Sequence, residues 1–308
     1  MSAHGGQIGN CVTQLSTIDF HVTGRCNQEC PYCWGPWRGG PEVNTSVACD
    51  IVRKIAASGV RRIVFTGGDP VLRDDLGLLL RLAKELTLEV ALSSTGDRLT
   101  PGFLRAYGRW IDLVSLPLDG PNEDVSSRTK NPGHFAAVLR AIDWLGEYPG
   151  IDVKIGTPVT RANLEAIPEL VDLVEQISFR MSNRMFHNLF QAYPRAMAEV
   201  DWSDLLVTDA EFTSLRKTVE SRTRHLQVNW LDHATLDRLY VMVMPDGSLT
   251  IPNGPAYPNY GAFLEISDLD EVLTQARFDA PKHTRHAQRW ASRALSDTAS
   301  GRVQPPLT

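Results

Sequence analysis

From residue 17 onward, short runs rich in β-branched and apolar residues alternate with stretches whose apolar residues recur at helical spacing. The predicted strands cover residues 17–23, 61–67, 88–94, 111–120 and 151–159, with a sixth strand inside 179–191. The predicted helices cover residues 46–59, 72–86, 101–108, 134–148 and 164–176. About six βα units in this order predict a parallel sheet with helices on its outer side. The expected fold class is therefore α/β, a partial (β/α)6 barrel of the TIM type with a small C-terminal cap.

The alternation weakens after Pro194. A helix is predicted over 209–222, two strands inside 237–252 around the turn Pro245-Asp246-Gly247, and a last helix over 267–278. We expect four parts along the chain. These are an N-terminal extension over 1–16, the barrel over 17–194, the C-terminal α/β cap over 195–280, and a basic, partly disordered tail over 281–308.

Composition excludes several classes of function. The chain has 308 residues, of which 43% are hydrophobic, so it can bury a large core without disulfides. Its net charge of −5 gives no electrostatic case for nucleic acid. No apolar run reaches the ~18 residues of a membrane span, and the N-terminus lacks the pattern of a secretory signal. We therefore expect a cytoplasmic protein, in which clustered thiols indicate metal binding or catalysis.

Three of the five cysteines lie in the segment CNQECPYC, at Cys26, Cys30 and Cys33, directly after the first predicted strand. That position is the carboxyl end of a barrel strand, where such folds place their chemistry. Three thiolates can bind a [4Fe–4S] cluster and leave one iron without a protein ligand. A closed zinc site, with His21 or Cys49 as the fourth ligand, is the alternative from the residues alone.

The segment is similar to the C-x3-C-x2-C signature of the radical S-adenosylmethionine (AdoMet) superfamily, with Tyr32 as the usual aromatic before the third cysteine. The resemblance covers about residues 17 to 191 and is nearest to the single-cluster branch of viperin-like and MoaA-type enzymes. It implies that the cysteines hold one [4Fe–4S] cluster whose open iron chelates AdoMet. Reductive cleavage of AdoMet would then give a 5′-deoxyadenosyl radical that abstracts hydrogen from the substrate.

Further motifs resemble AdoMet-binding positions of that superfamily. TGGDP (66–70) stands in place of its Gly-Gly-Glu motif, with Asp69 where glutamate is commoner, and in SLPLDGP (115–121) Pro117 replaces a common serine, for which Ser115 is the nearest substitute. The residues that the resemblance assigns to AdoMet are Tyr32, Gly67, Gly68, Asp69, Ser94, Ser115, Arg128 and Asn163.

The substrate is expected over the mouth of the barrel. Lys154 matches a lysine that faces substrate phosphate in viperin-like members, and an exposed strand lysine is the alternative reading. Arg184 and Tyr193 are the other favoured substrate contacts, and the wider set of candidates is Arg180, His187, Gln191 and Tyr257. Basic residues here fit a phosphorylated or carboxylated small molecule.

The remaining cysteines limit the reaction. No cysteine follows Cys49, which reads as a buried structural thiol, and Cys11 receives no role. We therefore expect neither auxiliary clusters nor a cysteine that returns hydrogen to a substrate radical. Only 25 residues precede Cys26, which leaves no room for an N-terminal peptide-binding domain.

The expected function is a radical AdoMet enzyme that acts on a small polar metabolite, such as a nucleotide, sugar or aminocyclitol, in specialised biosynthesis. Dehydration or rearrangement is the favoured outcome, and flavodoxin or ferredoxin the expected one-electron donor. Modification of a peptide is the alternative, and a non-catalytic metal-binding protein the remote one. Neither nucleic acid nor a membrane is an expected partner.

Overall fold

The computed structural model describes residues 15–33, 35, 39–194 and 201–288. The strands are β1 (Thr17–Thr23), β2 (Arg62–Gly67), β3 (Glu89–Ser93), β4 (Leu113–Pro117), β5 (Asp152–Val159), β6 (Met185–Gln191), β7 (Gln227–Leu231), β8 (Met242–Val243), β9 (Ser248–Thr250) and β10 (Asn259–Ala262). The α-helices are α1 (Thr45–Ala57), α2 (Leu76–Glu85), α3 (Pro101–Tyr107), α4 (Glu123–Ser126), α5 (His134–Leu145), α6 (Ile167–Arg180), α7 (Asp209–Glu220), α8 (His233–Leu236), α9 (Leu269–Gln275) and α10 (Ala280–Gln288).

All ten strands form one sheet in the order β10-β9-β8-β1-β2-β3-β4-β5-β6-β7. Strands β1 to β7 are parallel to their neighbours, and β8 pairs parallel with the other edge of β1. The hairpin β8–β9 and the pair β9–β10 are antiparallel. Within the described residues the sheet does not close, because β7 and β10 form its two edges. The predicted partial α/β barrel is therefore confirmed.

Strand β1 shows how a barrel strand uses its two faces. Its alternate residues Ile18, Phe20 and Val22 are buried in the core that also contains the apolar residues of α1. Asp19 and His21, which alternate with them, line the inner cavity instead. Helix α1 begins where the Asn44 side chain accepts a hydrogen bond from Val47 N at 3.0 Å. One face of each barrel strand thus builds the core, and the other faces the candidate site.

The C-terminal half differs from the prediction in three places. A seventh parallel strand, β7, extends the barrel, and α6 continues to Arg180, so that β6 begins only at Met185. Residues 280–288 form α10, which corrects the expected disorder of the tail for that part. The rest of the tail and residues 1–14 lie outside the described residues. The proposed boundaries stay predictions, although β7 to β10 join the same sheet as the barrel.

None of the described helices combines the length and the apolar character that a bilayer crossing requires.

Candidate active site

A cavity of about 340 Å³ lies inside the curved sheet. One of its walls is the loop after β1, which carries the three clustered cysteines, together with the loops after β2 and β3. Further along, inward-facing residues of β1, β2, β4 and β5 line it, and part of α10 borders it. Of the predicted site residues, the cavity brings together Cys26, Cys30, Cys33, Tyr32, Gly67, Gly68, Ser94, Ser115, Lys154 and Tyr193.

The three cysteines are free thiols, of which Cys33 is exposed and the other two are partly buried. Each sulfur has a different donor. Gln28 N lies 3.4 Å from Cys26 Sγ, Gly35 N lies 3.4 Å from Cys33 Sγ, and Lys130 Nζ lies 3.1 Å from Cys30 Sγ. Burial raises the pKa of Cys26 and of Cys30, so these thiols stay protonated until a metal displaces the proton.

The donor set fits a polynuclear iron–sulfur cluster better than one zinc ion. Among the described residues, no three His, Cys, Asp or Glu side chains are grouped so that they could hold a single metal ion. A structural zinc site needs four ligands, whereas the cysteine motif supplies three. Three cysteines that share a cavity wall, each with a hydrogen-bond donor at its sulfur, are the ligands that a [4Fe–4S] cluster uses.

Two polar side chains fix the loop between Cys26 and Cys30. Asp97 Oδ2 accepts hydrogen bonds from Asn27 Nδ2 and Gln28 Nε2, both at 2.7 Å. From the other side, Asn131 Nδ2 donates to Asn27 O at 2.9 Å, and Asn131 N donates to Gln28 Oε1 at 2.9 Å. The residues between Cys26 and Cys30 are therefore held by hydrogen bonds to the loops that follow β3 and α4.

The glycines of TGGDP permit a close approach of two backbones. A Cβ atom on Gly67, whose φ is +138°, would lie 2.2 Å from Thr23 O, and one on Gly68 would lie 2.0 Å from Arg25 O. Gly68 N donates to Thr23 O at 2.8 Å, and Asp69 N donates to Arg25 O at 2.7 Å. Only glycine thus allows the end of β2 to pack against the chain that leads into the cysteine motif.

Asp69 is fully buried and is not among the residues that line the cavity. Its carboxylate accepts hydrogen bonds from Ser94 Oγ at 2.9 Å and from Thr95 Oγ1 at 2.7 Å. Burial raises the pKa of Asp69, although both hydroxyls stabilise its ionised form. The side chain therefore joins the loops after β2 and β3, and the assignment of Asp69 to AdoMet stays a prediction.

Tyr32 belongs to a buried network beside the cysteines. Its hydroxyl donates to Asp119 Oδ2, which also accepts from Thr129 Oγ1 at 2.6 Å. Burial and the neighbouring Asp119 raise the pKa of Tyr32 well above its ordinary value, so the phenol stays protonated. The ammonium of Lys130 lies 5.4 Å from the centre of the Tyr32 ring.

Two predicted AdoMet contacts lie outside the cavity lining. Arg128 is exposed, and its guanidinium donates to Ala162 O at 2.9 Å. The amide of Asn163 is fully engaged, because it donates to Asp119 O and to Pro158 O at 2.9 Å each and accepts from Thr160 N at 2.8 Å. Arg128 is therefore a surface residue and Asn163 joins neighbouring loops by hydrogen bonds, while the assignment of both residues to AdoMet stays a prediction.

The structure places a basic residue of SSRTKNPGH (126–134) at the cavity that was not among the predicted site residues. Lys130, two positions after Arg128, is the one that is buried, lines the cavity and reaches a cysteine of the motif. Burial lowers the pKa of Lys130, but Asp119 and Cys30 raise it, and the net direction is upward. The sequence alone does not distinguish Lys130 from Arg128, because its position depends on the turn that ends α4, where Lys130 N bonds to Ser126 O.

Charged groups line the inner part of the cavity, at the strands. Burial lowers the pKa of Lys154 to about 8, and Asp19 partly opposes this effect. Burial raises the pKa of Asp19 to about 7, with Lys154 and Arg62 acting in the other direction. Arg62 also bonds Glu89 Oε1 through a guanidinium nitrogen at 2.5 Å. Lys154 therefore faces the cavity, in agreement with the predicted substrate side.

The other substrate candidates divide into two groups. Tyr193 and Gln191 line the cavity, and the Tyr193 ring packs edge-on against His233 at 4.7 Å. Arg184 precedes β6 at the opposite end of the strands, where its Nη2 bonds Asp152 Oδ2 at 2.5 Å, and it is not among the residues that line the cavity. The candidates Arg180, His187 and Tyr257 are also absent from the lining.

Comparisons with known proteins agree with this site. The family model described as the Radical SAM superfamily matches residues 20–174. The S-adenosylmethionine-dependent nucleotide dehydratase of Lacinutrix mariniflava is 25% identical over 293 residues, which is 90% of this chain and 58% of that protein. The enzyme of the same description from Flammeovirga pacifica is 27% identical over 252 residues, covering 76% of this chain and 81% of that protein.

The AdoMet-dependent heme synthase of Oleidesulfovibrio alaskensis is 31% identical over 165 residues, or 52% of this chain and 42% of that protein. The chain thus spans about half the length of two of these relatives, with 58% and 42% covered.

Among solved structures, Streptococcus suis SuiB bound to precursor peptide SuiA gives a TM-score of 0.67 at 16% identity, over 88% of this chain and 66% of that one. Native anSMEcpe with bound AdoMet gives a TM-score of 0.63 at 15% identity, over 88% of this chain and 82% of that one. At these identities the likeness shows the fold alone.

Proposed function

Because the chain belongs to the radical SAM superfamily, we propose that it is an enzyme acting on a small anionic metabolite, with nucleotides as the first class to test. Members of this family use a [4Fe–4S] cluster and AdoMet, which when bound supply a one-electron reductive cleavage that starts radical chemistry on the substrate. In this proposal Cys26, Cys30 and Cys33 hold the cluster. The family takes an external electron donor, for which we propose flavodoxin or ferredoxin.

The charge on the cavity wall is the observation that carries the substrate class. Among the described residues of the lining, Arg62, Lys130 and Lys154 are basic side chains, whereas Asp19 is the single carboxylate. Positive charge in a poorly solvated cavity is costly unless anions neutralise it. Glu89, Asp119 and Asp19 already oppose the charges of these three side chains, and a ligand with phosphate or carboxylate groups would add to that compensation. The two curated relatives that cover 90% and 76% of this chain are described as nucleotide dehydratases, which supports the same class.

The site residues divide between two ends of the cavity. Gly67, Gly68, Ser94 and Ser115 are the positions that we propose for AdoMet, because they line the cavity and belong to strands or loops neighbouring the cysteine loop. Lys154 and Tyr193 are proposed for the substrate. Ser115 and Lys154 are direct partners in the register of β4 and β5, so the two ligands would meet at this pair of strands.

Dehydration or rearrangement is the proposed outcome for the substrate. The experiment that tests the substrate class is anaerobic reconstitution with iron and sulfide, followed by reduction with AdoMet present. Nucleoside triphosphates, sugar phosphates, aminocyclitols and peptides are then added separately. We expect 5′-deoxyadenosine formation to rise with a phosphorylated substrate, whose mass would fall by one water for a dehydration. Stimulation by peptides alone would overturn the proposal in favour of peptide modification.

Two variants serve as controls for this experiment. Cys30→Ala should abolish deoxyadenosine formation, because it removes a proposed cluster ligand. Lys154→Met should raise the KM for a phosphorylated substrate at least tenfold, while the slow cleavage of AdoMet without substrate continues. If Lys154→Met leaves that KM unchanged, this lysine does not contact the substrate.

A further inference from the structure

Lys130 makes a contact that no predicted role explains. Its ammonium lies 3.1 Å from Cys30 Sγ and 5.4 Å from the centre of the Tyr32 ring, and its side chain is 8% exposed. The other two cysteine sulfurs are approached by backbone N–H groups, of Gln28 and Gly35. Among the described residues, Cys30 is thus the clustered cysteine whose sulfur accepts a hydrogen bond from a charged side chain.

The surroundings of Lys130 hold this arrangement in place. Asp119 carries opposite charge beside it and is itself fixed by hydrogen bonds from Tyr32 and Thr129. The backbone N–H of Lys130 is bonded to Ser126 O at 3.0 Å, at the end of α4. The turn at the end of α4 therefore fixes the backbone of Lys130, and a buried carboxylate acts on its ammonium electrostatically.

A positive donor at a cluster ligand has a defined electronic consequence. Reduction adds one negative charge to an iron–sulfur cluster, and hydrogen bonds to its sulfur ligands stabilise the reduced state. The effect is stronger in a poorly solvated site than in water, since charges there are less screened. We propose that Lys130 is a positioning residue that donates to the Cys30 sulfur of the loaded cluster and raises the reduction potential of that cluster.

This inference rests on the cluster that the family uses, and not on the proposed substrate, so the failure of one leaves the other standing. An alternative role for Lys130 is an ion pair with the carboxylate of AdoMet. The two roles are separable because a potential measured without AdoMet reports only the first. AdoMet affinity reports the second.

The test compares Lys130→Met and Lys130→Arg with Arg128→Met as the matched control. Arg128 is a basic residue of the same segment that is exposed and whose guanidinium donates to Ala162 O. Each reconstituted protein is titrated anaerobically with a reductant, without AdoMet, and the reduced cluster is followed by electron paramagnetic resonance. Iron content and thermal unfolding are measured on the same samples.

In Lys130→Met we expect the ratio of reduced to oxidised cluster at a fixed potential to fall about tenfold, which corresponds to a shift of about 59 mV for a one-electron couple. Lys130→Arg should keep most of the wild-type potential, and Arg128→Met should match it. A fully loaded Lys130→Met protein with the wild-type potential would overturn the proposal. The same result together with a tenfold weaker affinity for AdoMet would assign Lys130 to the AdoMet carboxylate instead.

If Lys130→Met fails to retain iron, Asp119→Asn provides a second test. This substitution keeps the ammonium but removes the opposing negative charge, so the reduction potential should rise. An unchanged potential in a fully loaded Asp119→Asn protein would also contradict the proposal.

Discussion

The carboxylate of Asp97 accepts a hydrogen bond from Gln28 Nε2 at 2.7 Å, across 69 positions of the sequence. The same Oδ2 atom accepts from Asn27 Nδ2, also at 2.7 Å. Both amides lie in the spacer between the first two cysteines of the motif. The conformation of the cysteine loop is therefore set by the loop after β3, and not by its own sequence alone.

Asp97→Ala should loosen the cysteine loop without unfolding the barrel. The variant leaves two side-chain amides without their shared acceptor, and the amide of Gln28 is buried, so we expect a loss of ~1–3 kcal/mol in the free energy of unfolding. Iron retention after reconstitution should fall at least twofold. Hydrogen–deuterium exchange of the metal-free protein should accelerate over residues 26–33. Asp143→Ala, on an exposed position of α5, is the control, and equal iron retention in both variants would contradict this role.

Asp69→Glu tests whether the buried site in TGGDP has room for the longer side chain of glutamate. The Asp69 carboxylate is fully buried between two hydroxyls, so one extra methylene must displace them. We expect a loss of ~1–3 kcal/mol in the free energy of unfolding, measured from urea denaturation. Asp143→Glu should leave the free energy of unfolding unchanged. If Asp69→Glu leaves it unchanged as well, the longer side chain has space toward the cavity, and the predicted AdoMet assignment gains support.

Much of the barrel was predictable because its strands are buried on both faces and end at turn residues. Strand β1 occupies the predicted range, and β5 differs from it by one residue. Strand β7 was missed because QVNWL has only five residues and no long apolar run, although polar and apolar residues alternate from Gln227 to Trp230. Its place depends on β6, where Asn229 Nδ2 donates to Asn188 Oδ1 at 3.0 Å, and such a pairing is visible only in three dimensions.

The candidate site was predictable as a set of loops but not as a set of side chains. The motifs identified the loops after β1, β2 and β3, because metal ligation and close backbone approach each require particular residue types. They could not tell which of Arg128 and Lys130 turns inward, because that depends on how the turn after α4 ends. Asn163 and Asp69 were assigned to a ligand, whereas internal hydrogen bonds use both side chains.

Asp19→Asn should change how stability depends on pH. An unfolded aspartate loses its proton near pH 3.9, whereas burial raises the pKa of folded Asp19 to about 7. The wild-type protein therefore has the full stability of this group below pH ~4 and loses it as the pH rises to ~7. Asparagine stays neutral throughout. The stability of the variant relative to wild type should rise over this interval by on the order of 2–4 kcal/mol and then level off.

Urea unfolding of both metal-free proteins at intervals between pH 4.5 and 8 measures this difference. Asp143→Asn is the control, because its exposed carboxylate should give a curve parallel to wild type. If the curve of unfolding free energy against pH for Asp19→Asn runs parallel to that of wild type, the pKa of Asp19 is not raised in the folded protein.

His283 joins the C-terminal helix to the first strand of the barrel. Its Nε2 accepts hydrogen bonds from Ser16 N at 3.1 Å and Thr17 N at 3.2 Å, which places the ring proton on Nδ1, where it is donated to Leu239 O at 2.8 Å. His283→Ala leaves these backbone groups without their partner, so we expect a loss of ~2 kcal/mol in the free energy of unfolding. Hydrogen–deuterium exchange over residues 280–288 should accelerate at least tenfold.

The same contact predicts a pH dependence for the C-terminal helix. Burial lowers the pKa of His283, so its contribution to stability is present above about pH 6.5 and is lost as the pH falls through the folded pKa. The wild-type and His283→Ala proteins should therefore become more alike in exchange over 280–288 on acidification. His225→Ala, whose ring packs on the exposed Phe179, is the control. A constant difference between wild type and His283→Ala at all pH values would show that the helix is held by its other contacts.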